Sequence, residues 1–136
     1  MNEKLKTLLY FWLPVVLWMS FIFSLSSVPG GRLPQVQPPQ FNKTVHQTVH
    51  FFEYSILGAL LVRAFLRSKS NKISLGLLLG AVAVALLFGL SDEWHQSFTP
   101  GRTCKLDDVL LDVASSISGI LLFLISARKA DNRRLS

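Results

Sequence analysis

Four apolar runs dominate the chain, and each is long enough to cross a bilayer. They cover about residues 8–28, 45–66, 73–90 and 106–127, each near the roughly 20 residues that a spanning helix needs. Hydrocarbon offers a backbone no water to bond, so segments that satisfy their own N–H and C=O groups are the expected solution. The sequence therefore predicts an all-α polytopic membrane protein, one domain over residues 1–136 built as a bundle of four transmembrane helices. Only 16% of residues are charged, against about 25% in a soluble domain, and mean hydropathy is +0.41. The net charge of +6 does not point to nucleic acid, because the basic residues sit at the ends of apolar runs rather than on a soluble basic patch. A single cysteine, Cys104, excludes an internal disulfide and any CxxC motif.

The first run follows Lys4 and Lys6, as a signal-peptide leader would. It is longer than the usual 7–15 residues of such a segment, and Ser26-Ser27-Val28-Pro29-Gly30-Gly31 offers no small-x-small cleavage site. It is read as a retained span. Residues 29–40 hold four prolines and two glycines, so this loop is expected to be extended and irregular. Orientation follows the basic residues. Lys4, Lys6, Arg63, Arg67, Lys69, Lys72, Arg128, Lys129, Arg133 and Arg134 fall on one side, ten in all; Arg32, Lys43, Arg102 and Lys105 fall on the other. That asymmetry predicts both termini in the cytoplasm.

Of eight acidic residues, six (Glu53, Asp92, Glu93, Asp107, Asp108 and Asp112) lie in or beside the outer halves of the spans, as do His46, His50 and His95. The outer half of the bundle is therefore expected to be polar. Lys43, His46, His50 and Glu53 are spaced three, four and three, which puts them on one helical stripe. At 1.5 Å rise, Glu53 lies roughly 13 Å below a helix start near residue 44. An ionisable group at that depth must face the bundle interior, find a partner or stay protonated. Asp92, His95 and Gln96 share a face if the third helix continues that far, and Trp94 beside them suits an interfacial anchor. Phe98-Thr99-Pro100-Gly101-Arg102 then breaks the helix in a turn that presents Arg102. Asp107 suits a helix N-terminus, whereas Asp112 lies inside the apolar run, one turn below Asp108. Ser115, Ser116, Ser118 and Gly119 form a small-residue surface fit for close helix contact.

These residues resemble the VanZ-like family of membrane proteins. His50-Phe51-Phe52-Glu53-Tyr54, with Leu57-Gly58, is similar to its HFxEY…LG stretch. Ser91 through Arg102 resembles its DExHQxFxPGR signature, and Asp108 and Asp112 fall where its DxxxD pattern continues. Phe23 to Gly30 is similar to its first-span exit. Gln47 stands where the family often has a basic residue, and Ala114, Ser115 and Ser116 where it is often Gly-rich. The resemblance implies a place in the bacterial cell envelope, at the outer face of the cytoplasmic membrane, and a link to glycopeptide (teicoplanin) susceptibility. It supplies no reaction.

Two functions compete on these residues. One is a binding protein for a membrane lipid or lipid-linked envelope precursor, with Arg102, Glu93, Gln96, Asp108 and Lys43 as ligand-binding candidates. The other is a membrane enzyme acting on a lipid or phosphate head group, with His50, Glu53, Asp92, His95 and Asp112 as the candidates for acid–base work. No HExxH or clustered-histidine motif is present, so neither metal nor other cofactor is expected. Four spans without an internal repeat argue against a monomeric transporter. A second copy of the chain stands as a further partner class; nucleic acid does not. His50 and Glu53 are expected to meet Asp92 or His95 and Asp108 or Asp112, with Arg102 folded back over them as an anion-binding lid.

The topology has a direct test. With Cys104 replaced by serine, a new cysteine in the 29–40 loop is expected to react with an impermeant thiol reagent in intact cells. Labelling only after permeabilisation would reverse the orientation.

Overall fold

The computed structural model describes residues 2–32, 40–69 and 72–135. Among them the chain forms four long helices: α1 (Glu3–Ser26), α2 (Gln40–Lys69), α3 (Leu75–Gln96) and α4 (Leu106–Leu135), with a short 3-10 turn at Gly30–Arg32. All four are long and apolar enough to span a membrane. At 1.5 Å rise the 30 residues of α2 and of α4 run about 45 Å, beyond the roughly 30 Å of hydrocarbon, so their ends project past it. Of the loop expected to be irregular, Gly30–Arg32 forms a 3-10 turn, and residues 33–39 lie outside the described residues.

Local chemistry sets the helix ends. The Asn2 side chain accepts from the Lys4 N–H at 3.1 Å to start α1, and Ser74 accepts from Leu77 N–H at 3.2 Å to start α3; both are N-cap bonds to otherwise orphaned donors. A π-helical turn at Leu8–Trp12 precedes Pro14, where the ring removes a donor and crowds the preceding turn. The helix of the third span runs on to Gln96, past the boundary near residue 90 that hydropathy suggests. Its last turn buries Asp92, Glu93 and Gln96, so polarity there marks an inward face rather than a helix end. Nothing between Ala127 and Leu135 breaks a helix, and α4 continues accordingly.

The centre of the bundle is α2, with half of its most apolar window buried, against 11% for α1. Its Leu57, Leu61, Val62 and Ala64 pack with Val15 and Ile22 of α1, Leu77, Ala81 and Ala85 of α3, and Ile120 of α4. Leu79, Leu87, Leu110 and Leu122 are exposed around the outside, as a lipid-facing surface requires. The closest approach is α2 against α4. A Cβ on Gly58 would collide with the Ser116 carbonyl, and one on Gly119 with the Ser55 carbonyl. Ser55 Oγ donates to the Ser115 carbonyl at 3.1 Å across the same contact. The small residues of α4 thus serve packing, as is usual where helices meet in lipid.

This contact predicts a contrast between glycines. Gly58→Ala and Gly119→Ala are each expected to cost about 1–3 kcal/mol by overpacking. Gly76→Ala, with nothing within 4 Å of the new Cβ, should stay within about 1 kcal/mol of the parent. Thermal unfolding in detergent would rank them.

Candidate functional site

The α2–α4 contact fixes the register of four polar side chains. His46 and His50 are four apart on α2; Asp108 and Asp112 are four apart on α4. They face one another as two rungs. His50 Nδ1 donates to Asp112 Oδ1 at 2.9 Å, both groups buried, and His46 Nε2 lies 3.6 Å from Asp108 Oδ2 nearer the helix ends. The imidazoles stand edge to face, 4.3 Å between centroids. His50 also stacks on Tyr54, 6.1 Å away. Gly89 of α3 opens the space beneath: a Cβ there would sit 3.4 Å from Asp112 Oδ2 and 3.7 Å from the Tyr54 ring.

The other two helices complete the cluster. Ser26, at the end of α1, donates to Asp92 Oδ2 at 2.8 Å. Gln96 Nε2 donates to that same oxygen at 3.0 Å and to Ser26 Oγ at 3.3 Å. Glu53 is buried within electrostatic reach of His50, Asp92, Asp112 and Arg102, and its backbone carbonyl accepts from Trp18 Nε1 at 2.8 Å. His50 of α2 therefore meets Asp112 of α4 directly, while Asp92 of α3 bonds to α1 and within its own helix. Among the described residues, four buried polar side-chain atoms have no hydrogen-bond partner: Asp92 Oδ1, Glu93 Oε1, Asp112 Oδ2 and the Tyr54 hydroxyl.

Four expectations need adjustment. Lys43 is exposed and does not border the cluster. Asp108 already faces His46 near the start of α4 at Leu106, so one turn further out α2 has no helix opposite. Glu93 is buried, but its Oε2 accepts from the Lys105 backbone N–H at 2.8 Å, which ties the start of α4 to the end of α3. His95 faces α1 instead of α4: its Nε2 lies 2.9 Å from Ser27 Oγ and its ring stacks on Phe23 at 4.2 Å. Arg102 does fold back, onto the end of α1. Its Nε donates to the Val28 carbonyl at 3.3 Å and its Nη2 to the Leu25 carbonyl at 3.4 Å, where the negative end of the helix dipole favours a cation. Gly101, at φ +75°, makes the turn, and its carbonyl leaves no room for a Cβ on Gly30. The Gly30 N–H donates to Pro100 O at 3.0 Å.

Two hollows adjoin the cluster. A polar cleft of about 220 Å³ is lined by His46, Gln96, Arg102, Lys105 and Asp108 with Gly30, Gly101 and Thr103. An apolar groove of about 480 Å³ lies between α1 and α3, lined by Val16, Met19, Phe23 and Phe88 with Ser20, Ser24 and Ser27. Ser27 belongs to the groove and Ser26 to the cluster, so the last turn of α1 is shared between them. Among the described residues, no three His, Cys, Asp or Glu side chains are grouped so as to hold a metal ion.

A family model, VanZ/LLP1, matches residues 11–127. The chain belongs to the VanZ/LLP1 family. No curated protein and no solved structure gives a significant match. The VanZ/LLP1 match spans every residue of the two rungs, the Arg102 turn and Ser26, so the polar cluster lies wholly within the family region of this membrane protein. Sequence reasoning placed His46 on the stripe without choosing it as a site residue, and it did not find Ser26 or Ser27. The signal was their position: two serines closing an apolar run, just before a Pro-Gly exit.

The Ser26–Asp92–Gln96 bonds predict that Ser26→Ala costs about 1 kcal/mol. The double variant Ser26→Ala with Asp92→Asn should cost less than the sum of its parts, because both changes remove the same bond. Unfolding of the four proteins in one detergent measures that coupling.

Proposed function

We propose that this VanZ-family protein acts in the bacterial cell envelope by binding the anionic head group of a membrane lipid or lipid-linked precursor, and that this binding alters glycopeptide (teicoplanin) susceptibility. The observation that carries the reading is the cleft. Arg102 and Lys105 line it together with His46, and guanidinium and ammonium groups are the side chains that bind phosphate. Its volume of about 220 Å³ falls below the 300–1,000 Å³ typical of drug-sized ligands, which suits a head group rather than a whole lipid. The apolar groove at the same end of α1 offers a place for the chain of that lipid. With both termini cytoplasmic, as the basic asymmetry implies, the cleft opens on the extracytoplasmic face.

The buried cluster beneath the cleft is read as serving function more than folding. Buried ionic groups are weak evidence for stability, since apolar replacements of similar volume are often neutral or stabilising. Asp92→Asn, Asp112→Asn and Arg102→Gln are therefore expected to leave a folded protein in the membrane and yet to abolish its effect on teicoplanin susceptibility. Purified Arg102→Gln should also lose at least tenfold in affinity for vesicles containing an anionic phospholipid, as expected for removing a charged partner. If susceptibility falls only in step with thermal stability or abundance, the cluster is a packing device. If vesicle binding is unchanged in Arg102→Gln, the head-group reading fails.

A further inference from the structure

An anion-binding cleft needs cations, and a carboxylate in it works against binding. Asp108 nevertheless lines this cleft, and it is aimed at His46 Nε2, 3.6 Å away. At that distance the carboxylate is a charge partner and not a hydrogen-bond acceptor, and it stabilises the imidazolium that forms when His46 acts as a general base. His46 is also braced from behind. The His50 ring stands edge-on at 4.3 Å and is itself fixed by Asp112 at 2.9 Å, with the Asp112 side chain wholly buried. The inner rung thus holds the ring that supports the outer one. Only the outer rung is open: the His46 side chain is 32% exposed, against 6% for His50. A purely structural pair would not need to be the one bordering the cleft that Arg102 and Lys105 share.

We propose that this cleft is a catalytic site at which His46 promotes hydrolysis of a phosphate monoester carried by a membrane amphiphile. This rests on the head-group reading above and adds turnover to it. In the step, a water molecule attacks phosphorus and His46 takes its proton. The bond from phosphorus to the ester oxygen breaks, that oxygen takes a proton from solvent at the open cleft, and His46 returns its proton to solvent. The products are inorganic phosphate and the amphiphile's alcohol, with no oxidant or reductant involved. Arg102 and Lys105 hold the phosphoryl oxygens and offset the charge on them. Asp108 is a positioning residue that acts through His46.

The test uses the purified full chain in mixed micelles with phosphatidic acid, with a long-chain polyprenyl monophosphate and with water-soluble glycerol phosphate, measuring released inorganic phosphate beside vesicle binding. The wild type is expected to release phosphate from one or both lipids and not from glycerol phosphate. His46→Gln should reduce release by about 10²–10⁴-fold, far more than any loss of binding to phosphatidic-acid vesicles. Asp108→Asn should lower kcat at least tenfold without raising KM, since removing the carboxylate takes away a repulsion to the anion as well as the support of His46. Thermal unfolding confirms that both variants are folded, and His46→Ala serves as a second variant at the same position. Binding by the wild type without phosphate release overturns catalysis and leaves the head-group reading standing. Release that persists in both folded His46 variants overturns the assignment of His46, and absence of both binding and release removes both readings.

Discussion

Backbone contact between α2 and α4 is what the polar interior depends on. Gly58 lies against Ser116 and Gly119 against Ser55 with no space for a Cβ, and this near-contact sets the axial register of the two helices. Given that register, His50 meets Asp112 and His46 meets Asp108 automatically, because both pairs repeat at four residues. The cost of leaving ionisable groups unpaired in hydrocarbon then acts on the remaining helices. Asp92 and Glu53 have to turn inward, and α1 supplies Ser26 to Asp92. Close packing thus comes from residues with no chemistry, and the placement of the chemically capable residues follows from it.

Much of this was legible in the sequence, for identifiable reasons. Four runs of spanning length gave four helices, since hydrocarbon leaves a helix as the simplest way to satisfy the backbone. The spacing of His46, His50 and Glu53 gave one inward stripe, and the depth of Asp112 gave it a partner problem that only another helix could solve. Helix ends were less legible. Hydropathy falls at Ser91, yet α3 continues to Gln96 because Asp92, Glu93 and Gln96 bond inside the bundle. Stripe spacing also carries no information on where the opposite helix begins, so Lys43 shares the stripe but not the cluster.

The remaining features depend on tertiary geometry. Ser26 and Ser27 look alike in sequence, but one turns to Asp92 and the other to His95. Arg102 reads as a lid over acids; in the fold it first satisfies the Leu25 and Val28 carbonyls at the end of α1, and so joins α1 to the turn after α3. Glu93 reads as a ligand-binding candidate within a signature, and in the fold its carboxylate anchors the start of α4. In each case the partner belongs to another element, and for Arg102 and Glu93 it is a backbone group, which side-chain spacing along one helix cannot reveal.

The groove between α1 and α3 has a thermodynamic consequence. Trp12 bonds Ser68, and Arg63 stacks on Phe11, near one end of α1, while Ser26, Ser27 and the Arg102 turn hold the other. Between them α1 is largely unburied, and the groove opens sideways to the acyl chains around it. On the proposed lipid-binding reading, a lipid tail moving from bilayer into groove would exchange one apolar surrounding for another, so the hydrophobic effect, which depends on removing surface from water, would contribute almost nothing to its binding. Discrimination among lipids would then fall to the few polar groups of the cleft. On that reading tail length and saturation would be nearly invisible, and head-group charge would decide which lipids stay.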